Sequence, residues 1–174
     1  PRLKLSPLFR NLFDFRGYKL CDLYEDEDGV TLVLDRTRTT ADCPICSRRC
    51  SSIEDAYTRR IRDLDLGTKQ CFLLFAERKI RCRCGYRGVE HLDFVDKYSP
   101  YTKRFEAYVS MLCEKMTLTD AASVAEIDWK AAKRIDKKYL SRLVTELEDL
   151  HPKRLGIDEI AYEKDIAFQA EDPS

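Results

Sequence analysis

The sequence has little that would place it in a membrane or a secreted fold. None of its apolar runs approaches the roughly 18 residues that a membrane-spanning helix needs. Its start lacks the charged, then apolar, then small-residue order of a secretory signal. Internal repeats and low-complexity tracts are also missing. We therefore expect a soluble cytoplasmic protein with no membrane partner, in which reducing conditions keep cysteines as thiols or metal ligands.

The chain also lacks a net charge, since 31 Lys and Arg balance 31 Asp and Glu. The charges are nevertheless segregated: residues 21–35 hold six acids and no base, and residues 36–87 hold 13 Lys and Arg against six acids. Residues 146–174 then hold nine acids against three bases. Phosphate contacts are local, and salt screens charges beyond roughly 10 Å, so a basic segment can bind a polyanion within a neutral chain. A net charge of zero therefore does not exclude DNA binding.

Turn signals and strand-forming runs fill the first half of the chain. Residues 1–17 predict a short helix, and the segments that follow predict two β-hairpins. The paired strands are Lys19–Tyr24 with Val30–Asp35, and Thr58–Leu64 with Lys69–Ile80. We expect a small N-terminal β unit over residues 1–40 and a second, cysteine-rich β unit over residues 41–95.

The second half changes to helical periodicity. Apolar residues with helical spacing predict a first helix; they are Phe105, Tyr108, Val109, Leu112 and Met116. A short helix from Thr119 to Ala125 and a long one from Asp128 to as far as Leu150 follow, and Arg154–Ala161 predicts a strand. These elements predict an α+β fold, with a helical domain at 98–151 and a further domain that begins at 152.

Four cysteines have the spacing of a structural zinc site. Cys43 and Cys46 form one pair, Cys82 and Cys84 form a shorter one, and the predicted second hairpin lies between them. Two short pairs on tight turns supply four soft ligands in a tetrahedron, and Gly85 can adopt a positive φ beside the second pair. Cys50 and His91 are competing ligands. Reduced core or surface thiols and a redox Cys-x-x-Cys pair are the other interpretations.

The run Thr117–Ile135 has the form of a helix-turn-helix. Ala121, Ala122 and Ala125 allow close packing of the second helix, for which Asp128 is a good N-cap. Glu126 stands where such a turn usually has glycine. The alternative is a helical hairpin whose lysine-rich face is solvated and does not bind DNA. The predicted DNA contacts on this helix and on the second β-hairpin are Lys130, Lys133, Arg134, Lys137 and Lys138, and Arg59, Arg60, Arg62, Lys79 and Arg81.

The order of CPIC, RRIRDLDLG, RCRCG, TLTDAASVAEIDWKAAKRI and LGIDEIA resembles the N-terminal half of insertion-sequence transposases of the ISL3 type from bacteria and archaea. In that family a zinc finger and a helix-turn-helix precede a ribonuclease H-like domain with three catalytic carboxylates, the DDE triad. The resemblance covers about residues 20–163. It implies that Asp158 is the first carboxylate and that the complete domain binds Mg²⁺ or Mn²⁺.

The resemblance implies a nucleoid-associated protein that binds the terminal inverted repeats of its element for DNA transposition, and we expect a homodimer. No widely separated carboxylates follow Asp158, so we expect this chain alone to bind double-stranded DNA without cutting it. A zinc-containing transcription regulator or a domesticated transposase remnant is the main alternative. A third is an interaction module in which the long helix pairs with a partner through Leu140, Leu143, Val144 and Leu147.

Overall fold

A computed structural model of the chain describes residues 15–147, without the side chains of 145–147. Nearly all of the helix predicted in 1–17 lies outside the described residues, as do the strand Arg154–Ala161 and Asp158. The described part is α+β: a small sheet, a cysteine-rich tip and three helices. None of its helices is both long and apolar enough to cross a membrane.

Both predicted hairpins are confirmed. The first consists of β1 (Tyr18–Asp26) and β2 (Gly29–Arg36), and the second of β5 (Ile53–Leu66) and β6 (Lys69–Arg81). β5 begins at Ile53 rather than Thr58, because its first residues continue the ladder as far as Ile80 on β6. The short strands β3 (Ala41–Asp42) and β4 (Arg49–Cys50) pair with each other, and β7 (Arg87–Val89) pairs with β6.

Strand pairing crosses the predicted boundary between residues 1–40 and 41–95. β2 pairs in parallel with β6, from Val30 opposite Cys71 to Leu34 opposite Phe75, so the sheet has the order β1-β2-β6-β5. Its inner face buries Leu32, Leu73 and Phe75 in one cluster. The apolar residues of both segments can leave water only by sharing this face.

The helical half matches its predicted pattern. α1 (Lys103–Cys113) and α2 (Leu118–Val124) begin at threonines whose hydroxyls accept hydrogen bonds from amides of the first turn. α3 (Trp129–Leu147) begins after Asp128, whose Oδ1 accepts the Lys130 amide at 2.8 Å, as an N-cap does. The buried residues of this unit are Phe105, Val109, Leu112, Ala121, Ala122, Ala125, Ala132 and Ile135. Ala132, Ile135 and the partly buried Tyr139 therefore form an apolar stripe along the first half of α3.

That stripe does not stay buried along the whole helix. Leu143, one turn beyond Tyr139, is 49% exposed, and so is Leu140, while Val144 is 54% exposed. Within the described residues, the buried cluster of the helical unit ends near Tyr139.

A buried carboxylate joins the sheet to the helices. Asp63 on β5 is fully buried and accepts hydrogen bonds from the Thr102 hydroxyl and from Arg104 Nε, each at 2.7 Å. The backbone continues this joint: the Arg62 amide donates to the Pro100 carbonyl at 2.8 Å, and the Thr102 amide to the Arg62 carbonyl at 2.9 Å. The first turn of α1 is thus held directly against the sheet.

Candidate metal centre and nucleic-acid interface

The structure brings the four predicted ligand cysteines together at one end of the sheet. The Sγ atoms of Cys43, Cys46, Cys82 and Cys84 all lie within 4.8 Å of one another. Two of the separations are 3.7 Å, between Cys43 and Cys84, and 3.6 Å, between Cys46 and Cys82. Zinc–sulfur bonds of ~2.3 Å in a tetrahedron place sulfurs ~3.8 Å apart, so four thiolates in this arrangement fit one zinc ion.

Two tight turns position these thiols. In the first, the Ser47 amide donates to the Cys43 carbonyl at 3.0 Å, and Ser47 has a φ of 56°. In the second, the Gly85 amide donates to the Cys82 carbonyl at 3.1 Å. The positive φ expected at Gly85 is confirmed at 92°. Each turn directs two thiols to the same side, which explains how pairs of different spacing can serve one centre.

Cys50 and His91, the competing ligands, lie outside this group of four. Cys50 packs with Ile80 in the small core of the tip, and burial, followed by its contacts with Cys82, raises the pKa of its thiol to about 11. The His91 ring instead lies 3.0 Å from Asp93 Oδ1. By contrast, the backbone amide of Cys84, aided by the Cys50 thiol, lowers the pKa of Cys82 to about 6.

Two of the arginines predicted to contact DNA from the second hairpin have structural roles instead. Arg62 is only 5% exposed and lies between the rings of Phe72 and Phe105. Arg59 donates from Nη1 to buried Glu77 Oε1 at 2.6 Å. Both guanidinium groups are therefore engaged within the fold, as charged side chains of low exposure require, and DNA contacts from these two positions stay predictions.

The other predicted contacts of this hairpin are more accessible. Arg60 keeps 31% of its side chain exposed, but pairs with Asp28 at 2.8 Å and stacks on Phe72. Lys79 is about half exposed, and Arg81 is 62% exposed, with Glu54 as its carboxylate partner at 2.6 Å. The basic charge available on the β half therefore lies toward the cysteine tip, at the end of β6.

On α3, four of the five predicted basic residues are exposed on the first half of the helix: Lys130, Lys133, Arg134 and Lys137. The Lys133 ammonium lies 5.6 Å from the ring of Trp129, which is itself 48% exposed. Lys138 is less exposed than these four residues. Its ammonium pairs with Asp96 at 2.5 Å and also with Glu106, and so holds α3 against the segment before α1.

Two further residues, Glu126 and Tyr98, have positive φ angles, and the sequence did not indicate a binding role for either of them. Glu126 has a φ of 52°, so the backbone of the turn has the left-handed conformation that glycine adopts most readily, although a glutamate occupies the position. Tyr98 has a φ of 62° and is 71% exposed, and it lines the same cleft as Arg134 and Lys97. A strained, exposed aromatic residue beside basic side chains is a feature of binding surfaces. No sequence pattern marks Tyr98, because its conformation depends on the fold.

Two parts of the chain are similar to domains of known transposases. Residues 39–84 match the model of the zinc-finger of transposase IS204/IS1001/IS1096/IS1165, and residues 90–140 match that of the helix-turn-helix domain of transposase family ISL3. The transposase for insertion sequence element IS1001 of Bordetella parapertussis is 27% identical over 161 residues, which cover 90% of the chain and 40% of the relative. The chain thus spans about two fifths of that relative's length. No solved structure matches it.

Proposed function

We propose that the chain is part of an ISL3-type transposase, as its matches to a zinc-finger and a helix-turn-helix domain of such transposases support, and that it binds the terminal inverted repeats of its own element. The observation that carries this proposal is the exposed basic face of α3. Lys130, Lys133, Arg134 and Lys137 project from the helix that follows the turn, which is the helix that enters the major groove in such motifs. Lysines contact phosphates, whereas Arg134 suits a guanine edge.

Cys43, Cys46, Cys82 and Cys84 would hold one structural zinc. The zinc-finger match and the sulfur separations support this assignment. The ion supplies no chemistry to DNA there, because four protein ligands leave no position for a substrate. Its role is to fix the tip of a sheet whose own core at that end is small.

Strand cleavage and transfer would belong to the complete transposase. There Asp158, which lies outside the described residues, would provide the first of three carboxylates that bind Mg²⁺ or Mn²⁺. We further propose that the protein acts as a homodimer, since the exposed Leu140, Leu143 and Val144 on α3 offer an apolar surface. DNA recognition and catalysis would then lie in separate parts of the polypeptide.

Binding of the zinc-loaded chain to duplexes ending in the element's inverted repeats tests the proposal, with shuffled duplexes of equal composition as controls. We expect tighter binding to the repeats. Arg134→Gln should reduce the discrimination by about 1–3 kcal/mol, whereas Lys130→Gln should weaken binding to both duplexes equally. Equal affinity of the unmodified chain for repeats and shuffled duplexes would contradict the proposal.

A further inference from the structure

A basic cleft lies beside the cysteine centre, on the side of the tip where β4 leads into β5. Its volume is about 330 Å³, and its lining includes Arg48, Arg49, Ser51, Ser52, Arg81 and Arg83. All four arginines are exposed. The buried residues Cys50 and Cys82 form its floor, and the Arg81 amide donates to the Ser52 carbonyl at 3.1 Å, which joins its two walls. The cleft is therefore supported by the same residues that support the centre.

The pairing of arginines separates this cleft from the rest of the β half. Arg36, Arg59, Arg60, Arg62 and Arg78 all pair with carboxylates. Among the described residues, in contrast, no carboxylate forms an ion pair with Arg48, Arg49 or Arg83. Guanidinium groups that the fold leaves without acidic partners, and gathers around one concave surface, are available to an external anion.

One acidic side chain near the cleft, that of Glu54, neutralises part of the positive charge of the arginines. Glu54 pairs with Arg81 and with Arg87, in each case at 2.6 Å. Hydrogen bonds, that from Arg87 first, lower the pKa of Glu54, so the carboxylate is ionised at neutral pH. A zinc ion with four thiolates carries a formal −2. The four arginines of the cleft and Arg87 carry five positive charges, against one negative charge of Glu54 and two of the zinc centre. The region therefore keeps a net charge of about +2.

We propose that this cleft binds backbone phosphates of duplex DNA and is the contact surface of the tip. The inference rests on the proposed function and adds a contact surface among the strands, where Arg59 and Arg62 of the hairpin are engaged inside the fold. The guanidinium fork matches two oxygens of a phosphodiester, and the hydroxyls of Ser51 and Ser52 can donate to the same group. The cleft positions the DNA, and α3 reads it.

The test measures the affinity of the zinc-loaded chain for duplex DNA over a series of salt concentrations. Each phosphate contact contributes about 0.9 to the slope of log affinity against log salt, so Arg49→Gln with Arg83→Gln should make the slope shallower by about 1.8. We expect the affinity at about 0.1 M salt to fall about 10-fold. Arg38→Gln is the matched control, since Arg38 is exposed and lines a different cavity.

Glu54→Gln provides the opposite change and leaves every thiol in place. It removes the carboxylate from Arg81 and Arg87, so affinity should rise and the slope should steepen by roughly 0.9. Zinc content and thermal unfolding are measured for each variant. An unmodified chain that does not bind DNA would refute the proposed function. Normal binding by that chain, with unchanged slopes in the double variant and in Glu54→Gln, would refute only the cleft.

Discussion

Glu126 shows how one residue can retain a turn that its side chain disfavours. A left-handed backbone costs an L-residue about 1–2 kcal/mol relative to the right-handed one, and Glu126 has a φ of 52°. Its Oε2 accepts a hydrogen bond from Gln70 at the start of β6. The side chain therefore connects the helix-turn-helix to the sheet in partial compensation for the strain.

Replacing Glu126 separates these two effects. Glu126→Ala removes the contact with Gln70 but keeps the strain, whereas Glu126→Gly removes both. We expect the glycine variant to be about 1 kcal/mol more stable to unfolding than the alanine variant. Denaturant titration of the pair measures this difference. Equal stabilities would mean that the turn relaxes to another conformation.

At the scale of single residues, local spacing was enough to predict that the four cysteines cluster, but not which arginines are exposed to solvent. Cys43 and Cys46, like Cys82 and Cys84, are near neighbours on turns, so the sequence itself brings each pair together. Whether Arg62 faces solvent depends instead on Phe105, which is distant along the chain. The dibasic residues before Cys50 and the alternating arginines of RCRCG were visible signals, but they gain meaning only when folding places them on one cleft.

At the scale of elements, α3 places basic residues of different kinds side by side. Lys137 is exposed, whereas Lys138 pairs with Asp96 and Glu106, and the Glu106 side chain is only 5% exposed. We expect Lys138→Met to lower the free energy of unfolding by about 1–3 kcal/mol, because it leaves Glu106 without its cation. Lys137→Met should weaken DNA binding with unchanged stability. Thermal unfolding and DNA titration of both variants test this, and the reverse assignment of effects would contradict it.

The Lys138 ion pairs also predict a dependence on pH. Burial raises the pKa of Asp96, but hydrogen bonds and charges from Lys138 and Lys103 outweigh it and hold the pKa below its ordinary value of 3.8. A lowered pKa contributes stability that is present above 3.8 and is lost as the pH falls through the lowered value. The difference in stability between the unmodified chain and Lys138→Met should therefore shrink below about pH 4. A constant difference down to pH 2 would contradict this.

The sequence predicted the elements that form locally and missed the pairing that is distant. Each hairpin joins neighbouring segments through a short turn, so alternation and turn residues suffice to indicate it. The parallel pairing of Val30–Leu34 with Cys71–Phe75 has no such signal, because some 40 residues of chain intervene. For the same reason, the predicted boundary at residue 40 followed composition rather than the shared core.

At the scale of the whole molecule, metal removal should affect one end. The core of the tip contains Cys43, Cys50 and Cys82, and is separate from the clusters of the sheet and of the helices. We expect a chelator to abolish protection of tip amides from hydrogen exchange while helical circular dichroism persists. Trp129, the single tryptophan, begins α3, so its fluorescence should remain unchanged. Loss of the helical signal on chelation would contradict this division.

A cysteine outside the centre provides the matched control. Cys84→Ser should reduce bound zinc well below one ion per chain, whereas Cys21→Ser, at an exposed thiol on β1, should retain it. Zinc determination after dialysis distinguishes the two. Full zinc retention in Cys84→Ser would exclude Cys84 as a required ligand.

The buried Asp63, with its bonds to Thr102 and Arg104, ties the sheet that carries the tip to the start of the helical unit that carries α3. Two contact surfaces connected in this way would meet a double helix with a fixed rotational phase. Inserting about five base pairs, half a helical turn, between the two contacted stretches would turn one of them to the far side of the duplex. The protein would then select a DNA site by the number of base pairs between the two contacted stretches as well as by its bases.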